Sequence, residues 1–176
     1  VKLHLGCGGR YIPGWTHIDV LPYPHVEYRH SVDRLPSIRD GEAEVVYACH
    51  VLEHFQEAEV EGVLREWRRV LKPGGILRVA VPDFAALCEL YQEIGDLGLV
   101  QGPVFGRQDY LYNIHHSVWD ESKMGYFLNL AGFTRWGRYD WRETEHADLD
   151  DYSQSYYPHM DKEHGKLLSL NVEAVR

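Results

Sequence analysis

Apolar and polar positions alternate from the first residue: Val1, Leu3 and Leu5 are separated by Lys2 and His4, and the run breaks at Gly6-Cys7-Gly8-Gly9. The pattern predicts a buried strand, Lys2–Leu5, ending in a turn with no Cβ atoms at its tightest points. Further short strands are predicted at Trp15–Asp19 and Val26–His30, separated only by Leu21-Pro22-Tyr23-Pro24-His25. A polar loop, Ser31 to Ala43, leads into a fourth strand, Glu44–Ala48. Apolar side chains at Val60, Val63, Leu64, Trp67, Val70 and Leu71 then follow helical spacing, with Glu61 and Arg65 paired one turn apart. Lys72-Pro73-Gly74-Gly75 stops this helix and turns the chain into a continuous apolar strand, Ile76–Val81. Asp83 is placed to cap a helix from Phe84 to Ile94, which Gly95 ends.

The second half is less regular. Asp96 to Val118 shows no period and is rich in Gly, Tyr and His, so residues 95–119 read as a lid or substrate loop. A helix from Asp120 to Ala131, closed by Gly132, precedes a sixth strand beginning at Phe133. Residues 143–166 form an excursion whose acidic run, Glu143 to Asp161, reads as a solvated loop before the last strand, Leu167–Val175.

Composition narrows the classes. A chain of 176 residues, 44% apolar and 12% aromatic, forms a single domain (1–176) with enough material for a core. A net charge of −9 without a basic stripe argues against a nucleic-acid partner. Cys7, Cys49 and Cys88 are scattered and odd in number, which suits a reducing cytoplasm. No apolar run has the length of a membrane span, so no membrane association is expected. The eleven histidines show no H-E-x-x-H or C-x-x-C spacing, and no metal site is expected.

The candidate chemistry begins at the glycine turn. Glycines there let a ligand lie against the main chain, and a carboxylate closing strand two, Asp19, suits a ribose. Downstream come Leu35-Pro36, then Cys49-His50-Val51-Leu52-Glu53-His54-Phe55, then Leu71-Lys72-Pro73-Gly74-Gly75. In this order the motifs resemble the class I S-adenosylmethionine-dependent methyltransferases, in particular the small methyltransferase type 11-like branch with L-x-L-G-C-G and L-E-H. G-W-x-x-I-D, V-P-D-F and the closing S-L-N-V-E-A-V resemble members encoded among surface-polysaccharide genes.

The resemblance implies an α/β, Rossmann-like fold: a mostly parallel seven-stranded sheet with an antiparallel last strand. The first-half helices must be shortened or missing, because five residues between strands two and three reach only about 17 Å. It implies S-adenosyl-L-methionine as cofactor, S-adenosyl-L-homocysteine as product, and a small-molecule acceptor, a metabolite or sugar bearing a hydroxyl or, second, an amine. Gly6, Cys7 and Gly8 would underlie the methionine and ribose, Asp19 would hold the ribose hydroxyls, Val20 would be a further cofactor-binding residue, and Ser31, Val32 or Asp33 would contact the adenine. Cys49 and His50 would face the methionine end, and His54 would lie beneath the cofactor. Asp83, His116 and His115 are the candidate general bases, Asp83 serving equally as a helix cap and His54 equally as a packing residue. Phe105, Tyr110, Tyr112 and Trp119 are either loop packing or an aromatic acceptor wall. His4 stands where the superfamily commonly has an acid, and Arg10 replaces a third glycine. The missing helices and His4 also fit a non-catalytic cofactor-binding module with a regulatory or assembly role.

Overall fold

The computed structural model describes all 176 residues. Seven strands form one sheet: β1 (Lys2–Leu5), β2 (Thr16–Asp19), β3 (Tyr28–Arg29), β4 (Ala43–Cys49), β5 (Leu71–Pro82), β6 (Arg135–Arg138) and β9 (Ser169–Val175), in the order β3-β2-β1-β4-β5-β9-β6. All neighbours pair in parallel except β9, which runs antiparallel to both β5 and β6. Four helices are present: α1 (Glu57–Val70), α2 (Phe84–Ile94), α3 (Leu97–Phe105) and α4 (Glu121–Leu130). No α-helix precedes Glu57, so the first three strands are joined by loops alone. No helix is long and apolar enough to cross a membrane.

Strand parity divides the sheet into unlike faces. Leu3 and Leu5, Val46 and Ala48, Leu77, Val79 and Val81, and Leu170, Val172 and Ala174 form one apolar face with Val60, Val63, Leu64, Trp67 and Val70 of α1 and Met124, Phe127 and Leu128 of α4. The alternate positions, among them His4, His17, Tyr47, Arg78 and Asn171, are buried on the other face. The acidic excursion covers that face. It carries two 3-10 turns and a two-stranded hairpin, β7 (Tyr156–Tyr157) with β8 (Lys166–Leu167). Tyr47 Oη donates to Asp151 Oδ2 at 2.6 Å, Asn171 Nδ2 donates to the Ser153 carbonyl at 2.8 Å, and Arg78 pairs with both Glu145 and Glu173. The reading of a solvated loop is therefore corrected. With no helix on this face, buried polar groups need partners, and the excursion provides them.

Three other differences are local. The Asp96–Val118 stretch contains α3, whose single buried residue, Val100, leaves no amphipathic period to read. Lys72–Gly75 is a bulge within β5: its register with β4 jumps from Ala43↔Leu71 to Val45↔Ile76, with Gly74 at φ +77°. β6 begins at Arg135, after Gly132 and Phe133 complete the turn from α4. At α1, a capping box between Gln56 and Glu59 starts the helix three residues before Val60.

Candidate functional site

A cleft of about 400 Å³ opens at the C-terminal ends of β1, β2 and β4. From β1 the chain goes on to β2 on one side in the strand order and from β4 to β5 on the other, the switch point at which open α/β sheets bind ligands. Gly6 (φ +58°) and Gly8 (φ +55°) form its floor. A Cβ on Gly6 would lie 2.5 Å from Val51 Cγ2, whereas one on Gly8 would meet nothing within 4 Å. Gly6 is thus required by the fold, while Gly8 leaves space against the backbone.

Asp19 ends β2 and is 6% exposed. Its Oδ2 accepts from Gly8 N–H and its Oδ1 from Leu21 N–H, both at 2.8 Å. These bonds hold the glycine turn and orient the carboxylate, whose remaining lone pairs are available to a diol in the cleft. The 31–40 loop is fixed from α1. Trp67 Nε1–H donates to the Val32 carbonyl at 2.8 Å, Leu35 N–H donates to Glu66 Oε1 at 2.7 Å, and Arg69 donates to the Leu35 and Ile38 carbonyls. Ser31 and Val32 therefore stand at the cleft wall, whereas Asp33 lines a separate polar groove with Glu59 and Glu66.

The other end is built by the 3-10 turn Leu52–His54 and the segment before α4. Glu53 is completely buried, and its carbonyl accepts from His116 N–H at 2.8 Å and Ser117 N–H at 3.2 Å, fastening the two segments together. Burial pushes the Glu53 carboxyl up to about 8, so it holds a proton at neutral pH. His50 occupies the left-handed region (φ +54°), unusual for a residue with a Cβ. Burial, with His115, His54 and Arg10 nearby, lowers it to about 3. Its 3.4 Å approach to Glu53 is accordingly a contact between neutral groups rather than an ion pair.

Of the residues singled out from the sequence, Gly6, Gly8, Asp19, Val20, Ser31, Val32, His50, His54 and His116 line the cleft together. Cys7, Asp33 and Cys49 do not. Cys7 is buried under the turn, where desolvation and then Asp19 push its thiol up to about 12. Cys49 packs with the second-face cluster around Tyr47. Asp83 is also absent from the cleft. It caps α2, accepting from Ala85 and Ala86 N–H, and pairs with Arg138 at 3.2 Å. His115 turns away from the cleft lining and faces the Pro103 carbonyl at 2.8 Å. Tyr110 and Tyr112 join the wall, but Phe105 lies outside it and Trp119 is in the core. Leu21, Tyr23, Val51, Phe55, Leu111 and Ile114 complete the lining. Only Tyr23, within the short β2–β3 connection, had a position that could have suggested it. His4 faces the covered side of the sheet, stacked on Tyr47 at 5.4 Å, so it has no part in the cleft.

The methyltransferase-domain family model matches residues 3–79, from β1 through the glycine turn, Asp19 and the L-E-H turn into β5. No curated protein matches the sequence. Among solved structures, the chain is similar to a SAM-dependent methyltransferase from Thermotoga maritima (12% identity, TM-score 0.59, covering 99% of this chain and 81% of that one). It is similar to the 1,6-didemethyltoxoflavin-N1-methyltransferase of Burkholderia thailandensis, solved with 1,6-didemethyltoxoflavin and S-adenosylhomocysteine (14%, TM-score 0.59, 99% and 70%). A SAM-dependent methyltransferase from Methanosarcina mazei gives 16% identity and a TM-score of 0.60, over 99% and 91%. At these identities the likeness to solved structures is one of fold.

Proposed function

We propose that this chain, a class I S-adenosylmethionine-dependent methyltransferase by family match and fold, methylates a hydroxyl group of a small metabolite or sugar. The observation that carries the reading is one cleft with two unlike ends. The glycine turn, Asp19 and the Ser31–Val32 wall make a nucleoside half, His116 stands at the other end on the Leu52–His54 turn, and Tyr110 and Tyr112 share the wall.

The residues fit the cofactor: Gly8 leaves open space over its backbone, and Asp19, held by Gly8 and Leu21 N–H, would accept from the ribose hydroxyls with its remaining lone pairs. S-adenosylmethionine supplies a methyl group on a sulfonium, a leaving group that needs no protonation. The chain's work is then to align the acceptor, exclude water and receive a proton. In-line alignment at near-attack distance supplies most of the acceleration. His116 would receive the proton that the acceptor hydroxyl gives up on methylation. Among the three candidate bases, His116 is the one lining the cleft. The tyrosine rings offer flat faces for a sugar or other small acceptor and π-surfaces for the cationic sulfonium.

The test is a screen of hydroxylated metabolites, nucleotide sugars and matched amines with methyl-labelled cofactor, read by mass. A product carrying one methyl on oxygen supports the reading. Turnover confined to amines refutes the choice of acceptor atom, and S-adenosylhomocysteine binding without any turnover refutes the catalytic reading.

A further inference from the structure

Beneath the acceptor end of the cleft lies a cluster that methyl transfer, as derived above, does not use. Glu53, His54 and His115 each present one donor atom, all within 4.8 Å of one another. Both carboxyl oxygens of Glu53 are buried without a hydrogen-bond partner, a costly arrangement for a polar group. Glu53 Oε1 lies 3.4 Å from His50 Nδ1 and 4.0 Å from His115 Nε2, and His50 Nε2 is itself buried without a partner.

The imidazoles are held for the same purpose. His54 Nδ1 faces the Ile114 carbonyl at 3.0 Å and His115 Nδ1 faces the Pro103 carbonyl at 2.8 Å. A carbonyl only accepts, so each Nδ1 carries the hydrogen and each Nε2 keeps its lone pair. This backbone anchoring of the far nitrogen is the usual support of a metal-ligating histidine. The two rings meet edge to face at 4.8 Å. Glu53 and the 115–117 segment cannot drift apart, because the Glu53 carbonyl holds His116 and Ser117 N–H. Left-handed backbone at His50 adds local strain of the kind that persists at functional sites.

We propose that Glu53, His54 and His115 form a binding site for a divalent first-row transition-metal ion, with His50 against the same carboxylate. Two imidazoles and one carboxylate are a ligand set used by zinc and non-haem iron sites that keep an open position. Donors around a tetrahedral ion with bonds of about 2.1 Å are spaced about 3.4 Å apart, so side-chain shifts of about 1 Å close the set. His54 lines the cleft, which places the site next to the acceptor end. No sequence spacing announces it, since His115 arrives from a distant loop.

The test uses untagged, chelator-treated protein titrated with Zn²⁺ by calorimetry, with the visible absorption of added Co²⁺ as a second readout. One ion per chain is expected, with affinity lowered at least about tenfold in Glu53→Gln and in His115→Ala. His164→Ala, which removes a ring exposed on the excursion, should bind as wild type. If Glu53→Gln fails to fold, His115→Ala and His54→Ala carry the comparison. Absence of Zn²⁺ binding by the wild type, or wild-type affinity retained in Glu53→Gln and His115→Ala, overturns the proposal. The readout is ion binding alone, so it succeeds or fails independently of the methyl acceptor.

Discussion

Replacing Asp19 by alanine removes an acceptor that serves two masters. Within the protein, the carboxylate holds Gly8 N–H and Leu21 N–H at 2.8 Å each, and only 6% of the residue is exposed. A hydrogen bond to a charged group contributes about 1.5–3 kcal/mol, so losing both costs the fold about 3–6 kcal/mol before water or backbone relaxation recovers part of it. Against a typical domain stability of about 5–15 kcal/mol, the variant folds with a clearly lowered unfolding midpoint. On the ligand side, loss of the ribose acceptor should cost about 2–3 kcal/mol, or about 30- to 140-fold in Kd. The assay is calorimetry with S-adenosylhomocysteine, run at a temperature where circular dichroism shows the variant folded, together with urea unfolding. Asp19→Asn separates the two roles. Its amide keeps the side-chain shape and one acceptor oxygen but turns an NH₂ toward one of the backbone donors. It should therefore retain more stability than alanine while still binding weakly. An Asp19→Ala protein that melts with the wild type and binds S-adenosylhomocysteine within about threefold of it would refute both assignments.

Three further perturbations probe separate links. Gly6→Ala places a methyl 2.5 Å from Val51 Cγ2 at a residue with φ +58°; it should cost about 1–3 kcal/mol of stability and weaken cofactor binding, and unchanged melting and calorimetry would contradict it. Burial, followed by the neighbouring His17, His146, Arg10 and His25, lowers His4 to about 3. The unfolded chain therefore takes up a proton below about pH 6.5 that the folded chain refuses, and stability is lost as pH falls from 6.5 toward 3. His4→Phe, keeping a ring against Tyr47, should flatten the urea-derived stability profile between pH 6.5 and 4.5 by about 1.4 kcal/mol per pH unit; an unchanged slope contradicts the assignment. His116→Ala should lower turnover on the true acceptor by about 10²-fold or more and leave the S-adenosylhomocysteine Kd unchanged, and wild-type turnover would remove His116 from the mechanism.

What the sequence determined by itself is what short-range physics decides. Alternation in β1 placed Leu3 and Leu5 on one face. The glycines after Leu5 announced a turn of positive φ, and apolar spacing from Val60 to Val70 announced the buried stripe of α1. Asp83 and Gly95 bracketed α2 because caps act on adjacent backbone groups. The glycine-turn side of the cleft was legible for the same reason: Gly6, Gly8 and Asp19 lie within a single strand–loop–strand unit. The side built by the Leu52–His54 turn was not. Ile114 and His116 reach the Leu52–His54 turn only once β4, α1 and α4 have packed, and nothing local distinguishes His116, which lines the cleft, from His115, which does not. Asp83 has the chemistry of a base, but tertiary structure commits it to a cap and to Arg138, a residue of β6. The excursion is the clearest case. Its charges have the composition of a solvated loop, yet Tyr47, Arg78 and Asn171 lie on a sheet face without helices and have to find partners somewhere in the chain. Asp151, Glu145 and Ser153 meet them across long sequence separations. Which polar residues are buried depends on what the opposite surface lacks, and only the folded chain supplies that information.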